Sequence, residues 1–412
     1  MIVRKHQLNL LLFILLLAVV ASSLYWVNYQ FSKNNPGGND FLAHYVGTRA
    51  FIFEKISPYS DEVALEIQNS VFGRSAQKGE IEHRVVYPIY STLLFAPFAL
   101  IGEYVVARSA WMLFLEIALV VTAYLAINLF VWKPKLGMLG FYYFFSIFWY
   151  HGFRSLINGN AVIVVGLLIT GTLFAIKIGK DNIAGILLAF STIKPNLVVL
   201  LLIFIFIWCI YQKRTQVILW FIGTMAILIL GGMLVIPNWI LQNLWEILKY
   251  PAYNPAGSIA EVIGGWKPEF QSVAMWTIGI GLGMLLLYEW WTARKQNYNW
   301  FLWTACLTLV ISQWIGIQTD PGNFVILFTP FVIVLASLDN RWGKFGTLST
   351  FSMMVVVLLG LWVLFVATLD FDYQPMQSSV MFFPFPGLVL IGLYWTKWWA
   401  TGRKIALRGD SV

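Results

Sequence analysis

A carboxylate, two histidines and several cations gather where an otherwise hydrophobic chain turns polar. Residues 31–88 hold seven of the nineteen acids and two of the four histidines. Asn39-Asp40-Phe41 stands a few residues past the first apolar run, so Asp40 is expected at a membrane surface. One carboxylate there can take the proton of an attacking hydroxyl. Asn-Asp before Phe41-Leu42-Ala43-His44 is also a common helix cap. His44 falls one helical turn after Asp40, with Tyr45 beside it. Arg49, His83 and Arg84 are the polar-segment cations nearest in sequence to the membrane boundaries, and Tyr87 opens the next apolar run. Arginine pairs bidentately with oxyanions, and Arg84 beside Tyr87-Pro88 is the foremost of these cations for such a role. The alternative for these cations is a charge-paired surface with Glu54, Glu80 and Glu82.

Two further places carry polar groups among apolar ones. Lys194-Pro195-Asn196 puts a charge, a helix breaker and an amide in a row inside a long hydrophobic stretch. A lysine at mid-bilayer costs at least about 2.5 kcal/mol unless it faces a partner or a cavity, which makes Lys194 a functional candidate; the alternative is a lysine that snorkels at a water interface. Gln318, Asp320 and Asn323 occupy a short loop that could close a pocket, although Asp320-Pro321-Gly322 is also an ordinary turn sequence.

These groups need a scaffold, and composition points to an all-α polytopic membrane protein. Of 412 residues 59% are hydrophobic and 11% charged, with mean hydropathy +0.74. Apolar runs predict about twelve transmembrane helices, near 8–30, 88–102, 105–131, 137–151, 159–177, 183–211, 216–236, 271–291, 300–318, 323–338, 346–368 and 379–398. The first is read as an uncleaved span, because no small-residue cleavage site follows it. Arg4, Lys5, Arg108, Arg154, Lys213, Arg214, Arg294, Lys295, Arg341, Lys344, Lys397, Arg403, Lys404 and Arg408 then fall on one side. The positive-inside rule makes that side cytoplasmic, with both termini. Lys133, Lys135, Lys177 and Lys180 land opposite, so sidedness between 130 and 180 is the weak point of this topology.

Residues 31–88 become the first outward loop and 237–270 the second, within a single integral membrane domain spanning 1–412. In the first loop, Pro58-Tyr59-Ser60-Asp61 and the residues after it predict a capped amphipathic helix at the interface, and 73–79 predicts a turn. The second carries Trp239, Trp245, Tyr250, Tyr253 and Trp266, as an interfacial surface would. Cys209 and Cys306 lie in apolar runs and read as small hydrophobes. The net charge of +8 is scattered over short loops, which argues against nucleic acid as a partner. No D-x-D cluster stands in the first loop, and neither metal nor cofactor is expected.

Asn39-Asp40-Phe41-x-x-x-Tyr45, Pro58-Tyr59, Tyr87-Pro88, Asn158-Gly159-Asn160, and Ala184-Gly185 followed by Ile193-Lys194-Pro195 occur in an order that resembles glycosyltransferase family 87. The resemblance covers most of residues 30–200. It implies the C-type membrane glycosyltransferase fold, about a dozen spans, an acid in the first outward loop and a polyprenol-phosphate-mannose donor. Arg154, Asn158 and Asn160 match family positions, although the topology above places them inside. The chain departs from the family pattern at Ile89, where a second proline is common, and at 318–323, where a histidine is often found.

The resemblance thus implies a plasma-membrane hexosyltransferase with its active site facing outward. It moves a hexose, with mannose foremost, from polyprenyl phosphate to an envelope glycan or glycolipid, by inverting displacement with Asp40 as base. A single carboxylate suffices for inversion in one step. The competing reading is a polytopic transporter or lipid flippase, which would use a broken helix such as the one at Lys194. No inverted repeat supports it, and the polar residues gather toward one face.

Overall fold

A backbone inside a bilayer must satisfy its polar groups within its own segment, and the helix does so. The computed structural model describes residues 2–252, 257–315, 320–369 and 378–402, and no strand occurs among them. The α-helices are α1 (Ile2–Asn34), α2 (Asn39–Arg49), α3 (Asp61–Phe72), α4 (Thr92–Ala99), α5 (Tyr104–Leu129), α6 (Leu136–Phe148), α7 (Tyr150–Asn158), α8 (Val162–Lys177), α9 (Asp181–Ser191) and α10 (Pro195–Tyr211). They continue with α11 (Thr215–Val235), α12 (Trp239–Lys249), α13 (Ile259–Trp266), α14 (Gln271–Ala274), α15 (Ile280–Ala293), α16 (Tyr298–Ser312), α17 (Phe328–Arg341), α18 (Gly343–Ala367) and α19 (Pro384–Gly402).

Among the described residues seven helical stretches are long and apolar enough to cross a membrane: Leu11–Asn34, Tyr104–Leu129, Thr215–Val235, Pro268–Ala293, Pro321–Arg341, Gly343–Ala367 and Ser379–Gly402. Shorter apolar helices accompany them, α6, α8, α9, α10 and α16 among these. The chain divides into two compact units, the first made of 1–85, 91–117 and 156–161 and the second of the remainder.

The first unit is built on aromatic packing. Phe41 is fully buried between Trp111 (ring centroids 5.4 Å) and Tyr104 (6.0 Å), with Phe95 and Phe98 closing the cluster. Gly159 completes it, at φ 69, where its carbonyl accepts from Trp111 Nε1 at 2.8 Å. A Cβ there would lie 2.5 Å from the Phe41 Cβ, so only glycine meets both the backbone and the space requirement. The first helix is tied to α5 by Asn28, which donates to Glu116 at 3.2 Å. As expected, α3 is capped by Ser60, whose side chain accepts from the Val63 amide, and it ends at Gly73 in the left-handed region.

The second unit is a helical bundle in which the 321–341 stretch is the most enclosed, with 94% of its apolar window buried. Thr170 and Thr329 hydroxyls meet at 2.6 Å between α8 and α17, and Tyr298 donates to the Leu173 carbonyl at 2.8 Å. Buried Glu289 accepts from Lys397 at 2.7 and 2.8 Å, joining α15 to α19, and Trp300, Trp303 and Tyr394 surround the ammonium. An ion pair so enclosed is costly to break one partner at a time.

Contacts inside this unit correct the expected sidedness. Ser155 donates to the Gly322 carbonyl at 2.8 Å, and Tyr150 feels the charges of both Arg154 and Asp320. Arg154 and the 320–323 turn therefore share one end of the unit and cannot lie on opposite faces of a membrane. At the other end Trp132, just before Lys133 and Lys135, donates to Asp339 at 2.8 Å, near Arg341. Lys177 donates to the Asn128 and Leu129 carbonyls, while Arg214 pairs with Asp181 and donates to the Ile176 carbonyl at 2.8 Å. The four discordant lysines thus join Arg214 and Arg341 at a single basic end.

The cause is local. Residues 183–211 are not one span: α9 and α10 reverse at Lys194-Pro195, which brings Asp181 back beside Arg214. The 88–102 stretch is shorter than a full span as well, because its helix runs only Ile89–Ala99 and reaches roughly 18 Å.

Candidate active site

The backbone ahead of Asp40 is held from α5. Tyr104 donates its hydroxyl to the Gly37 carbonyl at 2.8 Å, and Arg108 donates to the Asn35 carbonyl at 2.7 Å and the Ile157 carbonyl at 3.1 Å. Gly38, at φ 75, caps α2, and a Cβ there would meet Arg108 Nε at 2.5 Å. The helix is entered through this glycine, so Asp40 is not the cap: it sits exposed in the first turn, where the helix dipole favours its charge. Phe41 buried beside it fixes the direction in which the carboxylate leaves the helix.

The other first-unit candidates are tied to the fold. His44 is buried, stacked on Phe95 with ring centroids at 4.5 Å. Tyr45 donates to the Ile101 and Gly102 carbonyls, and Arg49 donates to those of Ala99 and Ile101. Both satisfy carbonyls at the end of α4, as cations and donors commonly do at helix C-termini. Arg84 pairs with Asp61 and, at 3.5 Å, with Glu82. The charge-paired surface is thus present with Asp61 as the main partner, since Glu80 is taken by Arg74 at 2.8 Å. That partner and the Gln77 amide hold the Glu80 carboxyl down at about 2. His83 adopts φ 48 and packs against Phe72, and burial lowers its pKa.

In the second unit the structure brings four candidates together. Pro195 takes the first position of α10, leaving Lys194 at the reversal. Lys194 is 8% exposed, and its ammonium donates to Asn323 Oδ1 at 2.7 Å and lies 5.4 Å from the Tyr87 ring centroid. Asn323 belongs to a tight 3-10 segment, Pro321–Leu327, capped by Asp320, whose carboxylate accepts from the Gly322 amide at 2.6 Å. Tyr90 steadies the approach to the reversal, its hydroxyl 2.8 Å from Thr192 Oγ1. A buried cation with an amide and an aromatic face beside it can receive the charge of a phosphate.

Three residues of this neighbourhood, Tyr150, His151 and Ser155, were not among the candidates from sequence, and Arg154 stood there only as a match to a family position. Tyr150, His151, Arg154 and Ser155 lie on α7, where Ser155 reaches Gly322 and fully buried His151 packs against Phe324 and Phe385, beside the Pro321 carbonyl. The available signal was a run of polar residues on a short helix between two apolar ones. Gln318, Tyr253, Arg403, Lys404, Arg408 and the side chains of Arg4 and Lys5 lie outside the described residues. Among the described residues no cluster of three metal-ligating side chains occurs.

Apolar helices long enough to cross a bilayer, and no strand among the described residues, give the chain the make-up of a polytopic membrane protein. Residues 86–312 match glycosyltransferase family 87, and the chain belongs to that family. It is a membrane glycosyltransferase, working on a sugar donor and an acceptor. The matched stretch contains Tyr87, Arg154, Asn158, Asn160 and Lys194; Asp40 and the 320–323 turn lie outside it. No curated protein and no solved structure matches the chain.

Proposed function

We propose that this enzyme transfers a hexose, mannose foremost, from a polyprenyl phosphate to an envelope glycan or glycolipid by one inverting displacement. The observation that carries the reading is Lys194, a buried ammonium held by Asn323 at a helix reversal within the family-matched stretch. In the displacement the acceptor oxygen bonds to the anomeric carbon as the bond to the phosphate oxygen breaks, and that electron pair leaves on the phosphate. Lys194 offsets the charge that develops there. Asp40 takes the proton of the acceptor hydroxyl; it is exposed, ready for a water-soluble partner, and held by Tyr104 and Arg108 through the preceding loop. In this reading the enzyme works in the plasma membrane, its active site facing outward and both termini cytoplasmic.

Membranes given a radiolabelled polyprenyl-phosphate hexose test the proposal. Asp40→Asn is expected to lower transfer by about 10²- to 10⁴-fold, the usual weight of a general base, while donor binding persists. Transfer at the wild-type rate by that variant would remove Asp40 as the base.

A further inference from the structure

At the basic end of the second unit a cavity of about 260 Å³ opens between the first turn of α16 and the last turns of α17 and α19. Asn299, Leu302, Asn340, Arg341, Trp398 and Trp399 are among its walls. Asn299 is 4% exposed and its Nδ2 donates to no protein acceptor, so this amide is best satisfied by an acceptor that enters the cavity. Arg341 lies 5.1 Å from the Trp399 ring centroid, which orients the guanidinium. The neighbouring acid, Asp339, accepts from Trp132 and, at 2.7 Å, from Thr347, and is not part of the wall. The site thus combines a cation and a buried amide donor, both favourable to an anion, while the first amides of α16 are already taken by the Asn297 side chain.

Its setting narrows the ligand. α16 and the helical stretches of α17 and α19 are all apolar, and Trp398, 85% exposed, stands on α19 as an anchoring ring does at head-group depth. Lys133, Lys135, Lys177, Lys180, Lys213, Arg214, Arg294, Lys295 and Lys344 share this end in sequence or contact, and such a surface attracts anionic lipid. The volume is below the small-ligand range, which begins near about 300 Å³, so it has room for a head group and leaves acyl chains outside.

We propose that this cavity binds the phosphate head group of an anionic phospholipid, Asn299 and Arg341 holding phosphate oxygens while Trp398 lies against an acyl chain. It is at the opposite end of the second unit from Lys194, so the lipid bound here is a structural or regulatory partner and not the sugar donor. Occupancy would fasten α16, α17 and α19 to one another and make the bundle sensitive to the charge of its membrane.

Delipidated full-length protein in detergent, titrated with phosphatidylglycerol and read by native mass spectrometry, tests this. Arg341→Gln, an exposed substitution, is expected to weaken binding by about tenfold, the weight of one hydrogen bond to a charged group. Asn299→Asp, which sets a carboxylate against the phosphate, is expected to weaken it at least as much, and Lys344→Gln to leave it unchanged. Equal binding by wild type and Arg341→Gln would overturn the site, as would an equal loss in Lys344→Gln, which would reduce it to general surface charge. Glycerol 3-phosphate is expected not to displace the lipid at matched concentration; displacement would make the ligand a soluble phosphate ester and overturn the lipid assignment.

Discussion

Lys194 is costly to bury, and its neighbours account for its survival there. The Asn323 amide oxygen and the Tyr87 ring face replace part of the hydration it gives up. Lys194→Gln keeps a donor but loses the charge, and transfer is expected to fall by about 10²- to 10³-fold with the protein still folded, since an electrostatic group aimed at a leaving phosphate has that weight. Transfer assays beside detergent size-exclusion profiles check this; an unchanged rate in a folded variant would remove Lys194 from the chemistry. His83 carries a different prediction. Burial lowers its pKa, so the folded loop favours neutral imidazole while the unfolded loop takes up a proton near the ordinary value of about 6.5. The loop's stability is therefore full above that value and declines as pH falls below it. Proteolysis of the 73–83 segment should accelerate between pH 7.5 and 5.5, and His83→Gln should flatten that acceleration.

At the scale of elements, single positions decide how helices meet. Gly159 lets Phe41 and Trp111 stack while its own backbone stays left-handed. Gly159→Ala is expected to destabilise the protein by roughly 2–5 kcal/mol, the sum of a left-handed alanine and an overpacked contact. A thermal midpoint within experimental error of wild type would refute that account. The capped α3 was readable beforehand, because Ser60 acts on its own backbone, whereas Pro195 marked a break in 183–211 without giving the direction the chain takes after it. The tasks of Tyr45 and Arg49 were not readable, because the carbonyls they satisfy belong to residues about fifty positions away. The alternative of an Asn39-Asp40 cap gives way to Gly38 for the same reason: that choice depends on Arg108 and Tyr104 lying against it.

For the whole molecule, sidedness is the property on which the proposed reaction depends most. Glu62→Cys in α3 and Lys344→Cys at the start of α18 are both exposed positions, and the native Cys209 and Cys306 are buried, so background labelling is low. A membrane-impermeant maleimide applied to intact cells is expected to modify the first and spare the second. Equal labelling of both would sink an outward first loop with a cytoplasmic basic end.

Composition and apolar runs by themselves determined that the chain is a helical membrane protein, because a backbone in hydrocarbon has few ways to satisfy itself. Ordered motifs pointed to the family, since their residue types survive without knowledge of what they touch. Only the tertiary structure decided that 183–211 folds back on itself, that Arg154 shares an end with Asp320, and that Tyr87, Lys194 and Asn323 form one cluster. Hydropathy registers how apolar a segment is but carries no record of its direction, and direction is fixed by contacts between residues far apart in the chain.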